Sequence, residues 1–273
     1  MRRIAAHVRA HRFSLFVGLT FVFTWIPWLL VVSLLRTGGR AEVTTLILVG
    51  GFGPFLAASV VAAAGGDGLS WVLNLLDFRA RLTVWAAAIV LPVILYLSAL
   101  AGYVLAGGDI DPAGMLPWSA VPSIAVASFI RGGLEEPGWR GLGQPVLQQR
   151  YGAFRASFLL GVIWAVWHVP LFLMPGSAQA GSAFWLYLPT VIGISVITAW
   201  LYNMAGGRVL IPVVFHTLSN TVSVSTAMAV VGDGHASGMA LMVVVWVAVV
   251  AIVLRYGPRR LADRPLPHGG LSL

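Results

Sequence analysis

Eight stretches of this chain are each apolar enough, and roughly long enough, to cross a lipid bilayer, which needs about 20 residues for a core of about 30 Å. They run over residues 14–35, 43–64, 82–106, 119–134 and onward, 154–174, 183–204, 208–231 and 238–256. Only 10% of the 273 residues are charged and 59% are hydrophobic. A soluble domain carries about 25% charged residues, so an ordinary cytosolic enzyme and a disordered chain are both excluded. The reading is an all-α polytopic membrane protein, with about eight transmembrane helices around a polar intramembrane cavity. Residues 1–273 are read as one membrane domain, with the chemistry in a core at about 119–231. A short amphipathic stretch at 69–81 is expected to lie in the interface.

The net charge of +8 does not indicate nucleic acid, because the basic residues are all Arg and fall between apolar runs, where they act as topology signals. With the N-terminus in the cytoplasm, fourteen of them are inside: Arg2, Arg3, Arg9, Arg12, Arg79, Arg81, Arg140, Arg150, Arg155, Arg208, Arg255, Arg259, Arg260 and Arg264. Arg36 and Arg40 are outside, with Asp109, Asp111 and Asp233, and Arg131 falls inside a span. Eight spans then put both termini in the cytoplasm. The first span, preceded by Arg residues and without a small-residue cleavage site, reads as an anchor rather than a removed signal peptide. The absence of Cys removes disulfides, thiolate nucleophiles and Cys-ligated metals.

A charge at the bilayer centre costs roughly 2.5–3.5 kcal/mol or more, so polar groups inside these spans identify where the chemistry is. The first set is Glu135-Glu136-Pro137-Gly138-Trp139-Arg140. Glu136 and Arg140 are one helical turn apart and can pair; Pro137 has no N–H and loosens the helix beside the carboxylates. The second is His168, alone in an apolar span. The third is His216 with Asn220, on one face at i, i+4. Taken singly, each has a plain structural reading: an interfacial cap, a packed histidine, and polar glue between helices. Depth distinguishes them. At 1.5 Å per residue, His168 lies about 20 Å from Arg155, and His216 and Asn220 about 12 and 18 Å from Arg208. If Arg140 marks the interface, Glu135 is only about 7 Å deep; if Arg140 is a buried partner and the span runs to Arg150, Glu135 is about 22 Å deep and level with the others. The second arrangement requires a long fourth span, kinked at Pro137-Gly138.

Carboxylates, two His and an Asn at one level suggest hydrolysis or a metal. Glu and His can take a proton from water, a His–Asn pair can donate to an oxyanion, and Glu135, His168 and His216 are also a possible Zn²⁺ set. No HExxH or GxSxG motif is present. Two other classes remain open: a proton-coupled transporter, since intramembrane Glu and His serve proton relays, and a membrane scaffold or immunity partner.

The ordered triple EExxxR, FxxxH and HxxxN resembles the CPBP family (CAAX-protease and bacteriocin-processing, or Abi, membrane endopeptidases), similar to type II CAAX prenyl endopeptidases. It covers roughly residues 131–221. The second motif departs from the family by Trp164 in place of Phe, which is expected to affect packing and not chemistry. The resemblance implies an intramembrane endopeptidase, usually called a metalloprotease. Glu135 and His168 would activate water, His216 and Asn220 would stabilise the oxyanion, and Glu136 and Arg140 would support the site. It implies either Zn²⁺ or a metal-free Glu/His mechanism, and a peptide or prenylated protein substrate, by CAAX-type C-terminal or bacteriocin-related processing. The expected setting is a multi-pass protein of a bacterial cell membrane.

Overall fold

The computed structural model describes residues 2–38, 43–232 and 234–264; Arg40 and Asp233 lie outside the described residues. These residues fold almost wholly as helix, with one isolated antiparallel bridge between Ile110 and Val230. Two ends of the molecule are distinct. At one, Arg12 pairs with Asp67, Arg208 with Asp77 at 3.2 Å, and Ala153 N–H donates to Arg259 O. At the other, Asp111 N–H donates to Ala229 O and the Tyr103 hydroxyl to Val231 O. The chain passes between them along Arg12–Arg36, Val43–Gly65, Leu82–Leu105, Val121–Tyr151, Ala153–Trp167, Phe184–Met204, Leu210–Ala229 and His235–Tyr256. Arg-bearing loops gather at the first end, whereas Arg140, counted with them in the sequence, is buried within the fourth pass. At the first end Asp77 accepts from Arg79, with Arg208 behind it, and these guanidinium groups hold its carboxyl well below the usual carboxylate range.

Of the eight expected spans, five lie in helices long and apolar enough to cross a membrane, and a sixth is a pair, Val43–Gly51 and Gly53–Gly65, bent by 46°. The other two fall short for local reasons. Ala153–Trp167 has 15 residues and stops ahead of Pro170, which cannot continue the ladder. Leu210–Ala229 carries His216, Asn220 and a run of Ser and Thr, which lowers its apolar character. The fourth pass is the long broken one that burial of Arg140 requires: the apolar span covers Pro112–Tyr151, 40 residues. Large apolar side chains face outward along whole helices, among them Val22, Ile26 and Leu30 near the start of the chain and Val243, Val247 and Leu254 near its end. No aqueous surface carries such stripes, whereas lipid covers them without cost. The protein is an integral, multi-pass membrane protein. Gly68–Leu75 forms the expected short helix, with Trp71 buried and Leu69, Val72 and Leu73 outward.

Two apolar cores meet at a seam. One joins Arg12–Arg36 and Gly53–Gly65 to Trp139, Leu142, Trp164 and Trp167. The other joins Leu82–Leu105, Phe184–Met204, Leu210–Ala229 and His235–Tyr256. The broken fourth pass lies in the seam, and glycine allows it to be there. A Cβ on Gly138 would fall 2.5 Å from Pro54 O and 2.7 Å from Pro54 C, both backbone atoms that cannot swing away. Gly138→Ala is therefore expected to lower thermal stability by about 1–3 kcal/mol through overpacking. Gly18→Ala, with nothing within 4 Å of the new carbon, should leave the melting temperature in place or raise it. Equal melting temperatures for the two variants would contradict this packing.

Candidate active site

After Val121–Arg131 the helix changes pitch. Residues Gly133–Glu135 make a tight 3₁₀ turn, Trp139–Gly143 a π turn, and Gln144–Tyr151 resumes the α-helix. Pro137 deprives Gly133 of its ladder partner, and π turns are common where side chains must be re-aimed. The result puts Glu135, Glu136 and Arg140 all inward, with Glu136 and Arg140 0% exposed.

Arg140 has partners on three sides. Its Nη1 lies 3.1 Å from Glu136 Oε2, and its Nη2 donates to Ser195 Oγ at 2.9 Å and to Ser195 O at 3.3 Å. Its guanidinium carbon sits 5.1 Å from the centre of the Trp164 ring. Ser195 donates onward to Ser157 O at 2.8 Å, so the cation is fixed to two further passes. Glu136 is shared: its Oε1 is 2.8 Å from His216 Nδ1. A carboxylate only accepts, so Nδ1 carries the proton of that bond. This leaves His216 Nε2 for other contacts, while Asn220 lies one turn further along the same helix. A Cβ on Gly132 would run into the Asn220 amide and lie 2.8 Å from His216 Nε2. Both side chains therefore end in the space that Gly132 keeps open.

Glu135 is held differently. Its Oε2 accepts the indole N–H of Trp164 at 2.7 Å and that of Trp139 at 3.3 Å. His168 closes Ala153–Trp167. Its backbone N–H donates to Ala165 O, three residues back, so the carbonyl of Trp164 is left for its own ring, whose Nδ1 lies 2.8 Å away. A carbonyl can only accept, so Nδ1 is the protonated nitrogen, and in neutral His168 the Nε2 lone pair is free to take a proton. The His168 and His216 rings lie 5.9 and 5.3 Å from the Trp164 ring. Glu135, Arg140, His168 and His216 thus surround one indole, with Glu136 held by Arg140 and His216 and with Asn220 beside His216 at Gly132. Asn220 is the least enclosed of them, half-buried on its helix.

The structure departs from the sequence reading at Trp164. The Trp-for-Phe exchange is not confined to packing, because the indole N–H bonds to Glu135. Ser195, Ser157 and Trp139 also escape a reading by motif, although a buried indole N–H usually finds an acceptor. The candidate zinc set does not gather as ligands do. Among the described residues, no three His, Asp or Glu side chains could hold an ion together. One atom of each is engaged, Glu135 Oε2 by two indoles, His168 Nδ1 by a carbonyl and His216 Nδ1 by Glu136, which leaves Glu135 Oε1 and the two Nε2 atoms.

The family described as type II CAAX prenyl endopeptidase Rce1-like matches residues 117–222, a segment that contains all of these residues. The chain is also similar to the CAAX prenyl protease 2 of Methanococcus maripaludis, 26% identical over 219 residues, which are 74% of this chain and 80% of the relative.

Removing Arg140 would strand Glu136 in a place without water. Arg140→Ala is expected to cost about 3–5 kcal/mol, the usual consequence of leaving a buried charge unpaired, and to reduce the yield of folded protein in detergent. Arg140→Lys should recover only part of it, since a lysine cannot reach Glu136 and Ser195 together or stack on Trp164. Wild-type melting behaviour for Arg140→Ala would refute the pairing.

Proposed function

We propose that this chain is a membrane protease of the CPBP family and hydrolyses a peptide bond near the C-terminus of a prenylated substrate with a water activated by Glu135 and His168. The observation that carries the reading is a juxtaposition around Trp164: a pair able to accept a proton, Glu135 and His168, and a pair able to donate, His216 and Asn220, on three separate passes. Intramembrane charge without chemistry is costly, and this combination suits addition of water to a carbonyl. The substrate class follows the name of the relative and the setting, in which a lipid-anchored peptide end reaches a buried site from the bilayer. We orient the Arg-rich end toward the cytoplasm.

In the proposed reaction the scissile carbonyl lies beside Gly132. Water gives a proton to Oε1 of Glu135, with His168 Nε2 as the second acceptor, and its oxygen bonds to the carbonyl carbon. The carbonyl π pair moves onto oxygen, and that oxyanion accepts from the Asn220 amide and from Nε2–H of His216 in its protonated form. Collapse breaks the C–N bond, and the proton held by Glu135 passes to the leaving amine. Glu136 and Arg140 keep His216 and the helix break in position. The reaction as proposed uses these side chains alone, which among the described residues are not gathered as a metal's ligands are.

The test is cleavage in detergent of a prenylated peptide ending in a CAAX sequence, against its unprenylated counterpart. Glu135→Gln keeps shape and removes the base, and should cost about 10²–10⁴-fold in kcat. His216→Ala and Asn220→Ala should each cost about 10²–10³-fold. A chelator is expected to leave the wild-type rate in place. Loss on chelation with recovery on adding Zn²⁺ would transfer the water activation to a metal, and equal cleavage by Glu135→Gln would remove Glu135 from the reaction.

A further inference from the structure

The two bonds to Glu135 are unequal and fall on the same atom. Trp164 Nε1 is 2.7 Å from Oε2 and Trp139 Nε1 is 3.3 Å from it; among the described residues no donor to Oε1 accompanies them. The shorter has the length of a charge-assisted bond, which is stronger and more directional than a neutral one. Trp164 is itself held from several sides: its carbonyl by His168 Nδ1 at 2.8 Å, its ring by the Arg140 guanidinium at 5.1 Å and by the edge of His216 at 5.3 Å. It is buried, and its rotamer is set by groups from three other parts of the chain.

We infer that Trp164 is a positioning residue of the hydrolytic site: its indole N–H, assisted by that of Trp139, clamps Oε2 of Glu135 and leaves Oε1 as the oxygen that receives the proton. The role rests on the proposed reading of Glu135 as the base. A phenylalanine at 164 would retain an aromatic wall between the two histidines but no N–H, so Glu135 would keep only the longer bond and swing about it. A general base works only when its reacting oxygen is in reach of the water, and a group misplaced by about 1 Å can cost about 10²-fold. Trp164 also connects the two halves of the site: the same indole that anchors Glu135 packs on His216, and its carbonyl fixes the tautomer of His168.

Two measurements test this. In the first, Trp164→Phe is compared with Trp246→Phe, which removes an indole bond of the same kind, from Trp246 Nε1 to Pro189 O at 3.1 Å, away from the site. For Trp164→Phe, kcat should fall about 10- to 100-fold, the worth of a hydrogen bond to a charged group, with KM nearly unchanged. Trp246→Phe should change kcat little. In the second, ¹H–¹⁵N spectra of the protein in micelles identify the Trp164 indole resonance by its loss in Trp164→Phe. That proton should resonate downfield in the wild type and move upfield in Glu135→Ala, and move less in Glu135→Gln, which keeps an oxygen there. Equal kcat for the two Trp variants, a loss in KM alone, or an indole resonance unmoved by Glu135→Ala would each overturn the inference. If the wild type cleaves no peptide, the hydrolytic reading fails, and the resonance still decides whether Trp164 holds Glu135.

Discussion

The contact between Arg140 and Glu136 governs the rest of the structure. Neither side chain has any exposed surface, and both sit in a helix that must lie within lipid. Alone, either ion would make insertion costly; together they still need further hydrogen bonds to offset lost hydration. The surrounding architecture supplies these. Ser195 comes from Phe184–Met204, Ser157 from Ala153–Trp167 and His216 from Leu210–Ala229. The ion pair therefore selects which passes must be neighbours, and the two apolar cores close on either side of it.

The break in the fourth pass is a consequence of the same requirement. A regular helix would point Glu135 and Glu136 about 100° apart and carry one of them away from the seam. Here the 3₁₀ turn, short α turn and π turn are enclosed by protein, and Glu135, Glu136, Trp139 and Arg140 are all buried. Irregular backbone at membrane depth is tolerated only where protein encloses it, and here the enclosure is close. Gly138 touches Pro54, and Gly132 and Gly133 face His216, Asn220 and Thr217. The glycines lower the cost of close approach, and Pro137 makes the regular alternative less favourable.

Much of this was legible in the residues. Apolar runs gave the passes, Arg placement separated the two ends, and the i, i+4 spacing of Glu136 and Arg140 anticipated their pairing. Of the two depths open to Glu135, the one level with the histidines goes with a buried Arg140, and the long fourth pass agrees. What could not be read was the partner of each polar group across helices. Ser195 is one Ser in an apolar helix, a common occurrence with no pattern around it. The shortness of Ala153–Trp167 follows from Pro170, but the use made of it, a freed carbonyl that fixes the His168 tautomer, depends on three-dimensional geometry. Trp164 was visible as a departure from a motif. Its meaning was not, because motif spacing records which residue stands at a position and not where its N–H points.

The site and the fold are consequently not separable. In a water-soluble protein a carboxylate can be solvated on every side; at this depth Oε2 of Glu135 is held by two indole N–H groups. The group that makes its burial tolerable is the group that restricts its orientation. The same holds for His216, whose Nδ1 is committed to Glu136, and for His168, whose Nδ1 is committed to a carbonyl. Each satisfied atom leaves its counterpart, Oε1 or Nε2, as the free end, and Gly132 keeps a space clear beside the His216 end. Satisfying buried polar groups one atom at a time thus yields an ordered set of acceptors and donors. That order, more than the identity of any single residue, is what a carbonyl and a water would meet there.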